Sequence, residues 1–263
     1  MDWAKAFAKG IVRGAFGALL AGSGLIGGVG PARAQAVPES RFVVSRDVDF
    51  YGSDLQPLFD TDLDSCLRQC AADTACAAFT FNSRAGACFP KRSISDRQPY
   101  DGAVSAARVA TDPAVLGRAG DRAVQLDFLG DETLGRAAAE ARDMGLRHPA
   151  GQAGLDELLQ GARGASQAGD DQRAARYIGT AVSVSDRGDL WTEYARLLLA
   201  LPGDGGDQRR NGERAVLAAT NGYLRADGAG QQATALMALA PALERVGRGR
   251  DMIPALRLAR AAQ

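Results

Sequence analysis

Apolar and polar positions follow the period of a β-strand in one short part of the chain. Residues 78–81 alternate with the period of a half-buried strand, residues 82–86 have turn chemistry, and residues 87–91 are suited to return as an antiparallel strand. Just before them, Thr61 and Asp62 can cap a helix over residues 63–72, because short oxygen-bearing side chains accept the free backbone N–H groups at a helix start. The pattern therefore predicts a helix followed by a β-hairpin.

Beyond about Ala110 the apolar positions follow the helical period instead. Glycine, proline and aspartate breakers separate the predicted helices, which cover residues 132–144, 155–168, 172–184, 190–201, 209–226, 231–246 and 251–261. Grouped in pairs from Leu155, Leu190 and Gln231, these helices recur every 35 to 41 residues. The spacing predicts a tetratricopeptide-like helical array, with a plain helical bundle as the alternative.

Two kinds of residue qualify this helical pattern. Pro241 and Pro254 fall inside apolar helical stretches, so we expect them to kink or shorten those helices. Aromatic side chains could line a concave peptide-binding face, but at helical spacing packing between helices is the favoured interpretation. These aromatic residues are Tyr177, Trp191, Tyr194 and Tyr223.

The composition changes at the same place as the pattern. Residues 35–110 are rich in aromatic and β-forming side chains, whereas residues 111–263 are dominated by alanine, leucine, arginine and glycine. Such a shift is typical of a change from a sheet-containing module to packed helices. We therefore predict an α+β domain over residues 35–110 and an all-α domain over residues 111–263.

The first 34 residues have the pattern of a secretory signal peptide. Lys5, Lys9 and Arg13 precede a charge-free run over residues 14–31, and the small-residue triplet that ends at Ala34 follows. The run contains many glycines and falls short of the roughly 20 apolar residues that span a bilayer. We therefore predict cleavage after Ala34, no stable membrane span in the mature chain, and a periplasmic or secreted location.

The four cysteines of the chain all fall between residues 66 and 88. In an oxidising compartment, closely spaced cysteines in an even number are typical of disulfides. The predicted helix and hairpin favour a nested pairing, with Cys70 bonded to Cys76 and Cys66 bonded to Cys88. A zinc site is the alternative, but zinc prefers tighter ligand pairs and the single histidine is distant in sequence.

Charge and residue types argue against several functions. Without residues 1–34 the chain has 27 basic and 30 acidic side chains, a balance that does not favour nucleic-acid binding. The single histidine, His148, lies in a helix-ending turn where we expect it to be exposed to solvent rather than catalytic. Asp60, Asp62 and Asp64 lack the loop glycine and distal glutamate of a calcium-binding hand. We therefore predict no catalytic residue, no cofactor and no metal, and we expect that the protein is not an enzyme.

Several motifs together resemble a PAN/Apple domain over about residues 40–110. They are the Tyr-Gly-Ser-Asp-Leu segment at residues 51–55, the Cys-x3-Cys-x5-Cys-x11-Cys spacing, the aromatic strand at residues 78–82, and the Cys-Phe-Pro-Lys segment at residues 88–91. The resemblance implies a compact α+β fold that binds a protein or a carbohydrate. Together with the second region, the expected fold is a disulfide-bonded α+β module followed by an all-α helical array.

The chain also resembles the N-terminal part of proteobacterial alpha-2-macroglobulin family proteins, in which a signal peptide and a segment similar to residues 47–55 precede an alanine-rich helical stretch. The run of β-domains and the thioester cysteine of those proteins are missing here. The leading hypothesis is an exported binding and scaffold protein that recognises a protein or glycan of the cell envelope, as an accessory to macroglobulin-type protease defence. The alternative is a protein that binds cell-wall polymer or exopolysaccharide.

Overall fold

The computed structural model describes residues 36–263, and the predicted signal peptide at residues 1–34 lies outside them. Residues up to 110 form strand β1 (Ser40–Asp54), helix α1 (Leu63–Ala72), and strands β2 (Ala78–Asn82) and β3 (Ala87–Ala110). The helices that follow are α2 (Pro113–Gln125), α3 (Asp131–Arg147), α4 (Leu155–Gln167), α5 (Asp171–Val184), α6 (Gly188–Ala200), α7 (Gly205–Arg225), α8 (Ala229–Arg245) and α9 (Gly249–Ala261). A 3-10 turn, Asp127–Leu129, joins α2 to α3. Between residues 36 and 263, no helix combines the length and apolarity needed to cross a bilayer.

Strand β3 organises the sheet, whose strand order is β1-β3-β2. Its partner β1 runs antiparallel to it, from Ser40 opposite Ala110 to Asp54 opposite Lys91. The shorter β2 lies opposite two separate segments of β3, because Ala78 is paired with both Lys91 and Ala107. The β-hairpin predicted from the sequence therefore corresponds to β2 and the first residues of β3, and β3 continues well beyond the predicted residues 87–91.

Helix α1 covers one face of this sheet and has the bounds predicted from the sequence. Asp62 caps it, with its Oδ1 atom accepting the backbone N–H of Ser65 at 2.7 Å. Two disulfides hold the helix in place, Cys66–Cys88 and Cys70–Cys76, and these are the pairs that the sequence favoured. The buried core between helix and sheet consists of the four half-cystines with Phe42, Val44, Leu67, Phe79, Phe81, Val104 and Ala106.

The helical region differs from the prediction at its start, and its two prolines lie inside helices without ending them. Helix α2 was not predicted, since Gly117 and Gly120 interrupt its apolar pattern, yet Asp112 caps it and Pro113 begins it. Helices α8 and α9 continue past Pro241 and Pro254, so neither proline shortens its helix. The predicted shortening at Pro241 and Pro254 is therefore not observed.

The packing of the helices is less regular than the predicted array. The helix pairs begin at Leu155, Gly188 and Ala229, at intervals of 33 and 41 residues. Helix α6 packs against α8, whereas α4 packs mainly against α5. Trp191, Tyr194 and Tyr223 are buried in the core between the helices, as the favoured interpretation of their spacing required. The tetratricopeptide-like repeat stays a prediction.

The sheet and the helices belong to one compact unit. Helix α3 approaches β1 so closely that a Cβ atom at Gly145 would overlap the carbonyl oxygen of Phe42. The backbone N–H of Ala150 donates to the Val44 carbonyl oxygen at 2.9 Å, and the Ser45 hydroxyl donates to the Gly151 carbonyl oxygen at 2.9 Å. The two regions are thus joined by backbone contacts as well as by side chains.

A largely buried ion pair lies at the same junction. The Arg41 guanidinium donates to Asp186 Oδ1 at 2.8 Å and to the Ser183 carbonyl oxygen at 3.0 Å. The second oxygen of Asp186 accepts the backbone N–H of Asp112 at 3.1 Å. Arg225 is buried nearby, and burial lowers its pKa to about 10, partly offset by the carboxylate of Asp186. Asp186 therefore connects β1, the start of α2 and the segment after α5.

Candidate ligand-binding cleft

A cleft of about 310 Å³ opens on the sheet, away from the disulfides. The C-terminal part of β1, the β2 strand and two segments of β3 contribute its walls. The lining residues are Asp49, Phe50, Tyr51, Gly52, Asp54, Thr80, Asn82, Phe89, Lys91, Tyr100 and Ala103. This volume lies at the lower end of the range for small-molecule sites, which is roughly 300–1,000 Å³.

A bulge in β1 shapes the inner end of the cleft. Asp47 has a positive φ of 56°, and the register of β1 against β3 shifts between Arg46 and Val48, which flank it. Two buried hydroxyl groups form hydrogen bonds with the backbone just after the bulge. The Thr80 hydroxyl oxygen accepts the Phe50 N–H at 3.1 Å, and the Ser105 hydroxyl donates to the Val48 carbonyl oxygen at 2.7 Å. The two hydroxyls also contact each other at 2.7 Å. They satisfy polar groups that would otherwise be costly to bury, and they fix Phe50 in the cleft wall.

Glycine is required two positions after Phe50 on β1. A Cβ atom at Gly52 would overlap the backbone carbonyl of Ser93 on β3, so only glycine allows the two strands to approach here. The register shifts again between Tyr51 and Gly52, and the side chain of Tyr51 is left exposed to solvent beside the cleft. The local sequence therefore places an aromatic ring at the cleft rim.

A lysine and an aspartate supply the charge of the cleft. The Lys91 side chain is 6% exposed, the Asp54 side chain is 55% exposed, and the Lys91 ammonium donates to Asp54 Oδ1 at 2.5 Å. The carbonyl oxygen of Lys91 accepts the Ala77 N–H at 2.8 Å, which fixes the position of the lysine backbone. Because Asp54 is largely solvated, we expect this ion pair to contribute little to stability. The Lys91 ammonium instead provides a hydrogen-bond donor at the floor of the cleft, and the Asp54 carboxylate provides an acceptor at its rim.

Exposed aromatic rings surround this polar floor. Tyr51 and Tyr100 line the cleft, and both are among the large hydrophobic residues that are exposed to solvent. Phe59 is exposed as well and lies edge-on against Phe89 of the cleft wall, with ring centroids 6.3 Å apart. Aromatic surface next to convergent polar groups is the usual composition of a ligand site.

The cleft contains residues that the sequence analysis named without assigning to a site. Tyr51, Asp54 and Lys91 belong to the motifs that carried the PAN/Apple resemblance, but no ligand-binding residue had been predicted from them. Tyr100 follows a proline in a polar segment, where no pattern in the sequence indicates a site. None of the four cysteines lines the cleft. The disulfide between Cys66 and Cys88 anchors β3 one residue before Phe89, which does line it.

The expectation that His148 is exposed was wrong. Its Nε2 atom lies 2.9 Å from the Tyr194 hydroxyl, and the two rings are in edge-to-face contact. Burial, with the guanidinium groups of Arg214 and Arg147 nearby, lowers the pKa of His148 to about 4. The Ser183 hydroxyl donates to the His148 carbonyl oxygen rather than to its ring. His148 is therefore a partly buried, neutral histidine that packs against α5 and α6.

Comparison with known protein families agrees with this geometry. Residues 40–110 match the family model described as PAN domain. A PAN domain is therefore detected in this chain, and its matched residues begin with β1 and end with β3. PAN domains bind proteins or carbohydrates.

Similarity to individual proteins is partial. A maize (Zea mays) protein named as a receptor protein kinase, ZmPK1, is 35% identical over 60 residues. This match covers 23% of the present chain and 7% of the maize protein, so the chain spans only a small part of that relative. No solved structure matches. The resemblance to alpha-2-macroglobulin family proteins is not supported by these comparisons.

Proposed function

We propose that this protein is an exported binding protein whose PAN domain holds a protein or glycan ligand in the cleft between β1, β2 and β3. The observation that carries the proposal is the combination, in one cleft, of exposed tyrosine rings with the Lys91–Asp54 pair. In this proposal the helical region is a scaffold for the PAN domain and provides a second surface for proteins. In this proposal the protein acts by binding and not by catalysis.

The geometry of the cleft favours a glycan. A volume of about 310 Å³ fits a few sugar rings better than a folded protein surface. Tyr51 and Tyr100 offer flat apolar faces, while Lys91 and Asn82 donate and Asp54 accepts hydrogen bonds from hydroxyl groups. A cell-wall polymer or exopolysaccharide presents this mixture of apolar ring faces and hydroxyls at every unit.

A protein ligand is the second candidate, and the exposed Phe59 favours it. Tyrosine and other aromatic residues are enriched at protein interfaces and often anchor them. A stable interface buries about 800 Å² on each partner, so a protein ligand would contact Phe59 as well as the cleft. Loss of binding on substitution of Phe59 would therefore separate a protein ligand from a glycan.

The two disulfides are consistent with an extracellular or secreted destination, since such bonds persist in oxidising compartments. A periplasmic location and a cleaved signal peptide are further parts of this proposal. They are supported by the pattern of residues 1–34. Mass spectrometry of the chain recovered from its own cells would detect a mature N-terminus after Ala34.

The test is cosedimentation of the mature protein with purified wall polymer. We expect binding that is lost in the double variant Tyr51→Ala/Tyr100→Ala and on reduction of the disulfides. The matched control is Val124→Ala on α2, which removes an equally exposed apolar side chain outside the PAN domain. Binding that survives in the tyrosine variant would show that the cleft is not the site.

A further inference from the structure

A second cavity lies in the helical region, far along the chain from the PAN domain. It has a volume of about 230 Å³ and lies between α3, α7 and the turn that joins α8 to α9. Val216, Leu217 and Val246 form its apolar part, and Val216 and Leu217 are buried. The polar lining consists of Thr133, Arg136, Arg209, Glu213 and Arg248. We call this cavity the α3–α7 pocket.

One arginine of the pocket is fixed and already neutralised. The Arg248 guanidinium donates to Asp251 at 2.6 Å, to the Thr133 hydroxyl at 2.9 Å and to the Leu129 carbonyl oxygen at 3.0 Å. These contacts use its donors and hold it against α3. Arg248 therefore shapes the wall and adds little net charge.

The other two arginines share a single carboxylate at long range. Glu213 lies 3.8 Å from the Arg136 guanidinium and 3.4 Å from the Arg209 guanidinium. Charge-assisted hydrogen bonds of this kind normally measure about 2.7–2.9 Å, so Glu213 satisfies neither arginine fully. Two guanidinium groups facing one carboxylate leave an excess of one positive charge beside an apolar surface.

We propose that the α3–α7 pocket binds a carboxylate that carries a short aliphatic group. The carboxylate would lie between Arg136 and Arg209, and the aliphatic group would cover Val216, Leu217 and Val246. The small volume limits the ligand to a short-chain acid or to the last residue of a peptide with a free carboxyl terminus. Both sources present the same chemistry to the pocket. This inference is independent of the PAN domain cleft.

The test is a titration of the mature chain with isovalerate and, separately, with the peptide acetyl-Ala-Ala-Leu, followed by the methyl NMR signals of Val216, Leu217 and Val246. Each carboxylate is compared with its amide. We expect both carboxylates to shift these signals saturably and both amides to leave them in place. Tighter binding of the peptide would assign the pocket to peptide termini, and exclusion of the peptide would assign it to free acids.

Substitutions on the two sides of the pocket should act in opposite directions. Arg209→Gln is expected to weaken binding about three- to tenfold, because one charge-assisted contact is removed. Glu213→Gln is expected to strengthen binding, because the competing carboxylate is neutralised. Arg163→Gln on α4 is the matched control, since this exposed arginine lies outside the pocket. Amides that bind as well as acids, no shift with either acid, or an Arg209→Gln variant that binds like wild type would overturn the proposal.

Discussion

At the scale of single residues, two glycines of α3 differ in what a side chain would meet. A Cβ atom at Gly145 would overlap the Phe42 carbonyl oxygen of β1, whereas a Cβ atom at Gly135 would meet no atom within 4 Å. We expect Gly145→Ala to lower the free energy of unfolding by about 1–3 kcal/mol, as overpacking usually does. Gly135→Ala should raise it by up to about 1 kcal/mol, because alanine is the better helix former. Urea denaturation under non-reducing conditions measures both, and equal effects would contradict the close approach of α3 to β1.

The buried His148 predicts a pH dependence of stability. Its pKa is about 4 in the folded protein against an ordinary value of 6.5, so between these values the unfolded chain binds a proton that the folded chain does not. Stability should therefore fall as the pH decreases from neutral towards about 4, by at most about 3 kcal/mol from this residue.

The readout is the slope of unfolding free energy against pH in wild type and in His148→Asn. The variant is expected to be less stable at neutral pH and to lose less stability on acidification, because it cannot bind the proton. Parallel curves for the two proteins would mean that His148 is not held neutral. The sequence could not have indicated this, because the residue that buries His148 is Tyr194, 46 positions later.

At the scale of elements, the two disulfides close loops of different length. Cys66 and Cys88 are 22 residues apart, and Cys70 and Cys76 are 6 residues apart. A longer loop loses more conformational entropy in the unfolded chain when it is closed. We expect Cys66→Ala/Cys88→Ala to cost about 3 kcal/mol and Cys70→Ala/Cys76→Ala about 2 kcal/mol on this account. Thermal unfolding of the two double variants measures the order, and a larger loss for the short loop would contradict it.

Local signals explain which elements could be predicted. Helix α1 was predicted with its observed bounds, since Asp62 and the alternating strand after it are encoded within a few residues. The length of β3 was missed, because residues 92–103 are mostly polar and their pairing with β1 depends on residues about 40 to 50 positions away. Helix α2 was missed because its two glycines are poor helix formers, and its stability comes from packing of Val115, Ala119 and Ala123 into the core.

At the scale of the whole molecule, the ion pair between Arg41 and Asp186 joins the PAN domain to the helices. Their side chains are 7% and 18% exposed, whereas those of the comparable pair Arg118 and Asp227 are 34% and 67% exposed. We expect Asp186→Ala to cost about 2–4 kcal/mol, because a buried guanidinium is left without its carboxylate. Asp227→Ala should change stability by less than about 1 kcal/mol.

The same pair of variants tests whether the two regions unfold together. In wild type we expect a single transition in urea when the sheet and the helices are followed by separate probes. Asp186→Ala should lower the midpoint for both probes, and a shift confined to one probe would show that the regions are independent. The sequence predicted two regions from hydrophobic pattern and composition, and the contacts that join them involve residues more than 100 positions apart.

The candidate cleft could be predicted only in part, for a reason that belongs to the whole fold. Tyr51, Asp54 and Lys91 stood in motifs that resemble a PAN/Apple domain, so the region was identified before the site. The cleft itself forms only when β1 is paired with β3, which brings Tyr51 and Tyr100 from distant parts of the chain into one cleft lining. Long-range strand pairing of this kind leaves no local pattern in the chain.

The most direct test of the account is an NMR titration of the mature chain with soluble fragments of the wall polymer. We predict shifts at Tyr51, Lys91 and Tyr100 that saturate and that are abolished in Tyr51→Ala/Tyr100→Ala, while signals of the helical region stay in place. Saturable binding that shifts only helical residues, or binding that the double variant retains, would contradict a ligand site in the PAN domain cleft.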